Sequence, residues 1–575
     1  YQSLIEGAIK PQWALLGATF IAICSFLPLY LAPASVAEIV KPLFVVLAVS
    51  LGLSWILALC QTTTFGNFIL KEAVPGGAMK DPYDTKLYHK FEKFLTLLIK
   101  RRFVTLTTVF VTLVLSLVIM AVMPQSFFPK MNKPYFRADL VFPEGFSIHA
   151  VDQDVMKVED YLKNHEKVKS YSVTLGGTPL RYYLASSSFG PKSNYANVMV
   201  ETKDPEDAAE VEQQFYEHMT QNFPNIITRS ALFALSPVPE AAIEIGFIGE
   251  NPDTLTALVE RAKKIARQCD MVTDIRSNWG DKVPVWKPMF SQQKGLRLGI
   301  TRQQVANSFR TATNGLPLGE YREGDVSLPI LLKDEDVEKM NLNDVKSVPV
   351  FSTKGNSVKV EQVIDNFALG YDYNVVRRFN RERCMMMQCE PKRGANTMAA
   401  FKQVLTAVQE QMQLPEGYKM KYFGEQETQD VSNAALAKNI PLTFLLIYVV
   451  LLFLFPSNYR KPVLIMLMLP LVFIGVVWGL LLFGKSLDFF AILGLLGLIG
   501  MNIKNAIVLV DEIGLQLKDG KGAVPAVVEA TKTRIVPVTM ASGTTILGML
   551  PLLGDAMFAG MAATIMGGLF VSTIL

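Results

Sequence analysis

One lysine stands inside an apolar run. The stretch IGMNIKNAIVLVDEIG, Ile499 to Gly514, follows a segment made only of apolar residues and glycine, and Lys504 sits in its middle. An ammonium at the centre of a bilayer-spanning helix costs about 2.5–3.5 kcal/mol on insertion scales unless it is paired or hydrated. Lys504 lies roughly two turns from the polar end of its helix, so snorkelling is one reading. Helical geometry offers another. At about 100° per residue, Gly497, Gly500, Lys504 and Asp511 share a narrow sector. Glycines there let a neighbouring helix approach closely. Lys504 and Asp511 are about 10 Å apart along the axis, too far for a direct pair. The lysine therefore needs a carboxylate from another helix, and no other apolar run here has a central Asp or Glu. That partner is expected outside this sequence. A lysine that holds a carboxylate can release it on protonation, giving two helix arrangements that a proton gradient could switch between. Arg534 opens the next apolar run and is followed by Pro537, Thr539 and Ser542. Taken alone, it could also be a simple cytoplasmic anchor.

Other residue groups point elsewhere. TLGGTPLRYYLASSSFGPKSNYANV, from Thr174, puts Arg181, Tyr182, Tyr183 and Phe189 on a loop bounded by Gly and Pro. Such aromatics can pack against varied apolar ligands, or tuck onto their own domain. RERCMMMQCE, from Arg381, offers soft ligands of the kind copper takes. Strand alternation splits them, with Cys384, Met386 and Gln388 on one face and Met385, Met387 and Cys389 on the other, which favours a buried strand. Four histidines without clustered His/Cys spacing argue against structural zinc, and the five scattered cysteines form no disulfide framework. There is no P-loop and no nucleophile triad, so the chain reads as a non-enzyme without a cofactor, driven by an ion gradient. No basic block with interleaved aromatics suggests nucleic acid.

The elements that must position these residues follow from hydropathy. The chain has 575 residues, 50% hydrophobic and 19% charged, with net charge +4. Apolar runs able to cross a bilayer are Trp13–Ala32, Ile39–Cys60, Phe103–Met123, Ile440–Phe455, Pro462–Phe483, Phe489–Val510 and Ile535–Leu553. An eighth begins near Phe558. The fourth is short and is expected to extend back toward Ala435. The chain lacks an initiator Met and stops inside an apolar run, as a fragment of a longer polypeptide would. Lys100, Arg101 and Arg102, then Arg460 and Lys461, then Lys518, Lys521, Lys532 and Arg534 fall on one side if the spans alternate. The connections LAPASVAE, GKSLD and GDAMF are nearly bare. The basic side is cytoplasmic by the positive-inside rule, which puts the polar block from Pro124 to Asn439 on the other side.

That block reads as repeated α+β units. Tyr135 to Phe142 alternates as a strand. Ser147 is a plausible N-cap for a helix with Val151, Val155, Val158 and Leu162 on one stripe. Strands near Val168–Leu175 and Asn197–Glu201 follow, then a helix with Ala208, Val211, Phe215 and Met219. This is the split βαβ, or ferredoxin-like, order. It recurs with a strand at Ile243–Ile248 and a helix carrying Leu255, Leu258, Val259, Ala262 and Ile265. Cys384–Glu390, a helix with Val404, Leu405, Val408 and Met412, and Tyr418–Phe423 complete it. The region between reads as an insertion, with a hairpin in Gly315–Leu332 around Glu-Gly-Asp.

GMNIKNAIVLVDE followed by TRIVPVTMASGTTILGMLPL is similar to the tenth and eleventh membrane helices of resistance–nodulation–division efflux permeases, hydrophobe/amphiphile branch. The resemblance covers the whole chain, from about helix five to a truncated helix twelve. FFPKMNKPYFRADLVFPEGFS resembles the start of the second porter half. It implies a polytopic α-helical membrane protein with a large α+β periplasmic domain made of ferredoxin-like porter subdomains and an inserted docking subdomain. Residues 1–70 would hold two membrane helices, 71–102 a cytoplasmic loop with an amphipathic helix, and 103–123 a third span. The first porter subdomain would be 124–242. The second would be 243–289 with 373–432, the docking subdomain 290–372, and 435–575 the remaining helices. The family's relay lysine and arginine match Lys504 and Arg534, and its two relay aspartates lie on a helix preceding Tyr1. Its relay threonine falls at Ala541, so Thr539 or Ser542 would have to substitute. The 174–198 loop resembles the family's switch loop. ALFALSPVP places Phe233 and Leu235 where the family lines its pocket, though these two could equally be strand core. The resemblance also implies a homotrimer in a Gram-negative inner membrane, working with a periplasmic adaptor (a membrane fusion protein) and an outer-membrane channel, and exporting amphiphilic small molecules by proton antiport. Heavy-metal efflux on the same scaffold is the nearest rival and would need methionines converging in the cleft. A secretion accessory or a lipid or sterol sensor is the other, which the docking-like insertion disfavours.

Overall fold

The computed structural model describes residues 9, 12–32, 35–69, 85–126, 132–182, 191–233, 240–335, 344–352, 355–456 and 458–575. Tyr183, Phe189 and Leu235 lie outside the described residues. The chain forms two compact units, Tyr1–Asn278 with Arg377–Leu575, and Trp279–Val376.

The first unit opens with apolar helices. Helix α1 (Gln12–Ser25) breaks at Phe26 and resumes as α2 (Leu27–Leu31), where Pro28 removes a backbone donor. Helix α3 (Ser35–Ile69) follows. Thr85 caps the amphipathic α4 (Lys86–Lys100), which leads into α5 (Arg102–Val122). Much of α5 presents bare apolar side chains outward, with Phe103 75% and Leu106 66% exposed. A helix in water would bury these; one in lipid has no reason to.

The chain then leaves the apolar helices. Strand β1 (Tyr135–Val141), α6 (Ile148–Lys163), β2 (Val168–Leu175), β3 (Tyr195–Thr202), α7 (Ala208–Asn222) and β4 (Ile227–Leu232) follow in order. The sheet order is β2-β3-β1-β4, and every pairing is antiparallel. Ser147 Oγ accepts the Ala150 amide and starts α6. Val151, Val155, Val158 and Leu162 of α6 and Val211, Phe215 and Met219 of α7 bury against Phe136, Ala138, Leu140 and Phe142. Each large side chain so buried contributes roughly 1.5–3 kcal/mol.

The next strand, β5 (Ile243–Ile248), is buried at all its positions. Asn251 caps α8 (Pro252–Ala266), and β6 (Val272–Ser277) follows. The second unit then intervenes. It comprises β7 (Lys282–Phe290), α9 (Gln292–Leu298), α10 (Arg302–Thr311), the hairpin β8 (Leu316–Glu323) and β9 (Val326–Leu332), β10 (Pro349–Phe351), β11 (Ser357–Lys359) and β12 (Ile364–Tyr373). The unit is wider than the expected 290–372, because β7 pairs along its whole length with β12. Its core is Ile300, Val305, Val348, Val350, Val360, Val363 and Ile364.

The chain returns to the first unit through β13 (Arg378–Phe379), β14 (Glu382–Pro391), α11 (Thr397–Gln411) and β15 (Lys419–Phe423). Strand β14 lies between β5 and β6, and β5 between β14 and β15. The apolar helices resume with α12 (Gly424–Leu454), α13 (Arg460–Met468), α14 (Val472–Leu482), α15 (Phe489–Lys518), α16 (Ala523–Met549) and α17 (Ala559–Ile574). Among the described residues, seven helical segments are long and apolar enough to cross a membrane, and Ala559–Ile574 is a shorter apolar helix. A polar strap joins the sheets to α15. Asn396 Nδ2 donates to the Gln125 carbonyl at 2.8 Å, Gln125 bridges Leu487, and Asp488 caps α15 through the Ala491 amide.

Candidate functional site: two helix-borne cations and a buried charged cluster

Helix α15 carries the lysine. Its Gly500 meets α1 so closely that a Cβ there would stand 2.9 Å from Ala22 Cα, and one at Gly497 would stand 3.1 Å from the Phe26 ring. The glycines thus admit a neighbouring helix, as the sequence pattern anticipates. Ile503, Ile507 and Val510 bury against Ala18, Ile21 and Cys24 of α1 and Ile447 and Leu451 of α12. Lys504 and Asp511 are exposed. Among the described residues Lys504 has no ion-pair partner.

Arg534 is no free anchor. Its Nε and Nη2 both donate to Glu512 Oε2 on α15, at 3.0 and 2.5 Å. Glu512 is buried. Glu512 lies one residue, about 100°, outside the Gly497–Lys504–Asp511 sector, so the helical pattern of the sequence does not point to it. The two candidate relay hydroxyls part company. Ser542 is buried, with its Oγ 2.8 Å from the Thr573 hydroxyl of α17, whereas Thr539 is exposed.

The two sheets of the first unit meet over a second polar cluster. Arg229 Nη1 and Arg276 Nη2 donate to the Glu240 carbonyl at 2.7 and 3.0 Å. Arg276 also pairs with Asp274 and Glu390. Gln388 Nε2 donates to Glu244 Oε1 at 2.8 Å. Burial raises the Glu390 and Asp274 carboxyls above their ordinary values and pushes Glu244 up to about 7. Burial lowers Lys192, at the end of the 174–198 loop, and Arg229. A separate clamp joins the sheets through Arg393, which reaches Glu212 with both Nη atoms at 2.5 Å and lies over the Tyr216 ring.

Of the ligand-facing candidates, the structure brings Tyr182 and Phe233 together, rings 5.9 Å apart and edge-on, beside Tyr135. Tyr182 is 39% exposed and Phe233 only 9%. Arg181 is exposed. The Met/Cys strand is β14, with Cys384, Met385, Met387 and Cys389 all buried. No group of three or more His, Cys, Asp or Glu placed to hold a metal ion occurs among the described residues.

Apolar helices of spanning length, interrupted once by an α+β block, with an ion pair between α15 and α16, are the pattern of a polytopic membrane protein. Residues 2–575 match the AcrB/AcrD/AcrF family, and the chain belongs to these resistance–nodulation–division efflux permeases. It is 21% identical over 594 residues to the swarming motility protein SwrC of Bacillus subtilis, covering 100% of this chain and 54% of that protein. It is 26% identical over 344 residues to the nickel and cobalt resistance protein CnrA of Cupriavidus metallidurans, covering 58% and 32%. It is 23% identical over 591 residues to the multidrug export protein AcrF of Escherichia coli, covering 98% and 56%. A crystal structure of a heavy metal efflux pump superposes with TM-score 0.77 at 18% identity, over 98% of this chain and 56% of that one. The chain thus spans about half the length of the curated relatives that match it end to end.

Proposed function

We propose that the protein carrying this chain is an inner-membrane permease that exports amphiphilic compounds by proton antiport. The observation that carries the reading is two cations on adjacent apolar helices, Lys504 on α15 and Arg534, bonded to Glu512, on α16, in a chain of an efflux-permease family. A fixed ammonium on α15 has no structural need to be there, and a counter-ion that exchanges with protons gives it one. The strand order β2-β3-β1-β4 supports reading the first sheet as a split βαβ porter subdomain, and the β5–β15 sheet as its counterpart. The Trp279–Val376 unit fits a docking subdomain toward an adaptor and an outer-membrane channel, in a homotrimer. Tyr182 and Phe233 supply an aromatic contact for apolar cargo, with Tyr183, Phe189 and Leu235 as further candidates.

Metal efflux is the second reading, favoured by the likeness to CnrA and to the heavy metal pump. Against it, Cys384, Met385, Met387 and Cys389 of the Met/Cys strand are buried, and no group of three or more His, Cys, Asp or Glu placed to hold a metal ion occurs among the described residues. Transport by the full-length protein in proteoliposomes under an imposed pH gradient tests both. Amphiphilic dyes should move and Ni²⁺ and Co²⁺ should not; the reverse result makes the protein a metal exporter. Lys504→Met should abolish dye export with assembly intact, and full export would reduce Lys504 to a snorkelling residue. Tyr182→Ala should weaken export of bulky compounds more than small ones, since the contact area lost scales with what it covers, at roughly 25 cal/mol per Å².

A further inference from the structure

We propose that Glu512 is a positioning residue for Arg534 in proton coupling, an inference that rests on the antiport reading above. Glu512 Oε2 accepts from Nε and Nη2 of Arg534, and Oε1 accepts from Gln516 Nε2 at 3.0 Å. Both carboxylate oxygens are engaged, so the guanidinium is held in one place. Only an arginine fork can present two donors this way; a lysine presents a point charge. An arginine that merely anchored a helix end would extend toward headgroups and water. Arg534 instead reaches from α16 to a buried carboxylate on α15. Bringing a charge pair out of water is costly, and good geometry is what makes it tolerable.

The surroundings make Glu512 the group on which the arrangement turns. Helices α1, α14 and α17, which pack on α15, carry no charged residue. Helix α13 brings Arg460 and Lys461, whose ammonium lies over Gly514. Helix α16 brings Glu529 and Lys532 besides Arg534, and Lys521 adds its charge from the turn between. On α15 itself stand Lys504, Asp511 and Lys518. Cations outnumber anions here, so an ionised Glu512 holds together groups that otherwise repel. A proton arriving at Glu512 forms one O–H bond and removes one negative charge. Arg534 stays a cation and loses its partner, and the cytoplasmic ends of α15 and α16 lose their attraction. Glu512 lies about 12 Å along the helix from Lys504, by a rise of about 1.5 Å per residue. The two groups therefore report to different levels of the same helix, and Glu512 sets where Arg534 stands while Lys504 exchanges its partner.

The test is dye efflux by the full-length protein in proteoliposomes, across a series of pH values. Glu512→Gln should assemble normally, pump about tenfold more slowly, the scale of one lost charge-assisted hydrogen bond, and show a flattened pH profile. Glu512→Asp, which keeps the charge with shorter reach, should pump at an intermediate rate. Glu512→Arg combined with Arg534→Glu restores a bare ion pair and should stay inactive. A wild-type rate and profile in Glu512→Gln overturns the proposal. So does a slower rate with an unchanged profile, or recovery in the charge swap, since either makes the pair a plain staple. If Lys504→Met pumps normally in the same assay, the antiport reading itself has failed, which the Glu512 variants alone do not show.

Discussion

Single carboxylates in this chain take opposite characters from their surroundings. Glu512 is buried against a guanidinium that bonds it twice, an arrangement that suits the ionised form. Glu244 is buried among Gln388 and the Ala241 amide with no cation bonded to it among the described residues, and its carboxyl rises from the usual 4.5 to about 7 because burial removes it from water. The sign of the consequence follows from proton counting. Between the unfolded and folded values the folded protein holds a proton that the unfolded chain has lost, so stability falls as pH rises through that window. Glu244→Gln should remove this slope and stabilise the protein above neutral pH by about 2–3 kcal/mol, with little change near pH 4. Thermal unfolding of wild type and variant at the two pH extremes measures it; equal melting shifts at both ends would mean Glu244 is not the protonated group. How far such residues were legible in sequence differs. Lys504 announced itself by interrupting an apolar run. Glu512 did not, because it follows Asp511 in an ordinary helix-end pair of acids, and its partner comes 22 residues later in the chain.

Elements with one dominant period were legible and mixed ones were not. Strand β1 alternates, α6 carries a regular apolar stripe, and both appear where that pattern puts them. Strand β6, Val-Thr-Asp-Ile-Arg-Ser, has no apolar alternation; it is set by pairing with β14, and Asp274 even takes a left-handed φ of 51° within it. Helix α12 begins at Gly424, well before the apolar run from Ile440, because its first turns are polar and hydropathy has nothing to report there. The glycines of α15 were legible, and their purpose is steric. A side chain at Gly500 has the Ala22 backbone in its way, and a helix backbone cannot yield as a flexible side chain can. Gly500→Val should therefore push α1 off α15 and cost about 1–3 kcal/mol, the usual scale of overpacking. The melting temperature of the detergent-purified protein reads the loss. Gly543→Val on α16, where a Cβ would meet nothing within 4 Å, is the control and should be nearly silent.

At the scale of the whole first unit, the two sheets are held together by polar contacts as well as packing. The Arg393 clamp is the best-formed of these, because its guanidinium is bidentate on Glu212, shares the Ser230 hydroxyl and lies 4.3 Å from the Tyr216 ring centroid. Its two ends differ in access to water. The Glu212 side chain is 9% exposed and that of Arg393 is 36%. Removing the arginine therefore strands a buried carboxylate, while removing the carboxylate leaves an arginine that can still turn to solvent. Arg393→Met should destabilise the full-length protein more than Glu212→Gln does, and the double variant should be less destabilised than the sum of the two. The coupling energy expected from this cycle is about 1.5–3 kcal/mol, toward the lower end because Arg393 is partly hydrated. Thermal unfolding of the four proteins under one condition supplies the cycle. Additive effects, or a larger loss from Glu212→Gln, would show that the sheets are held by packing and that the clamp only decorates their seam.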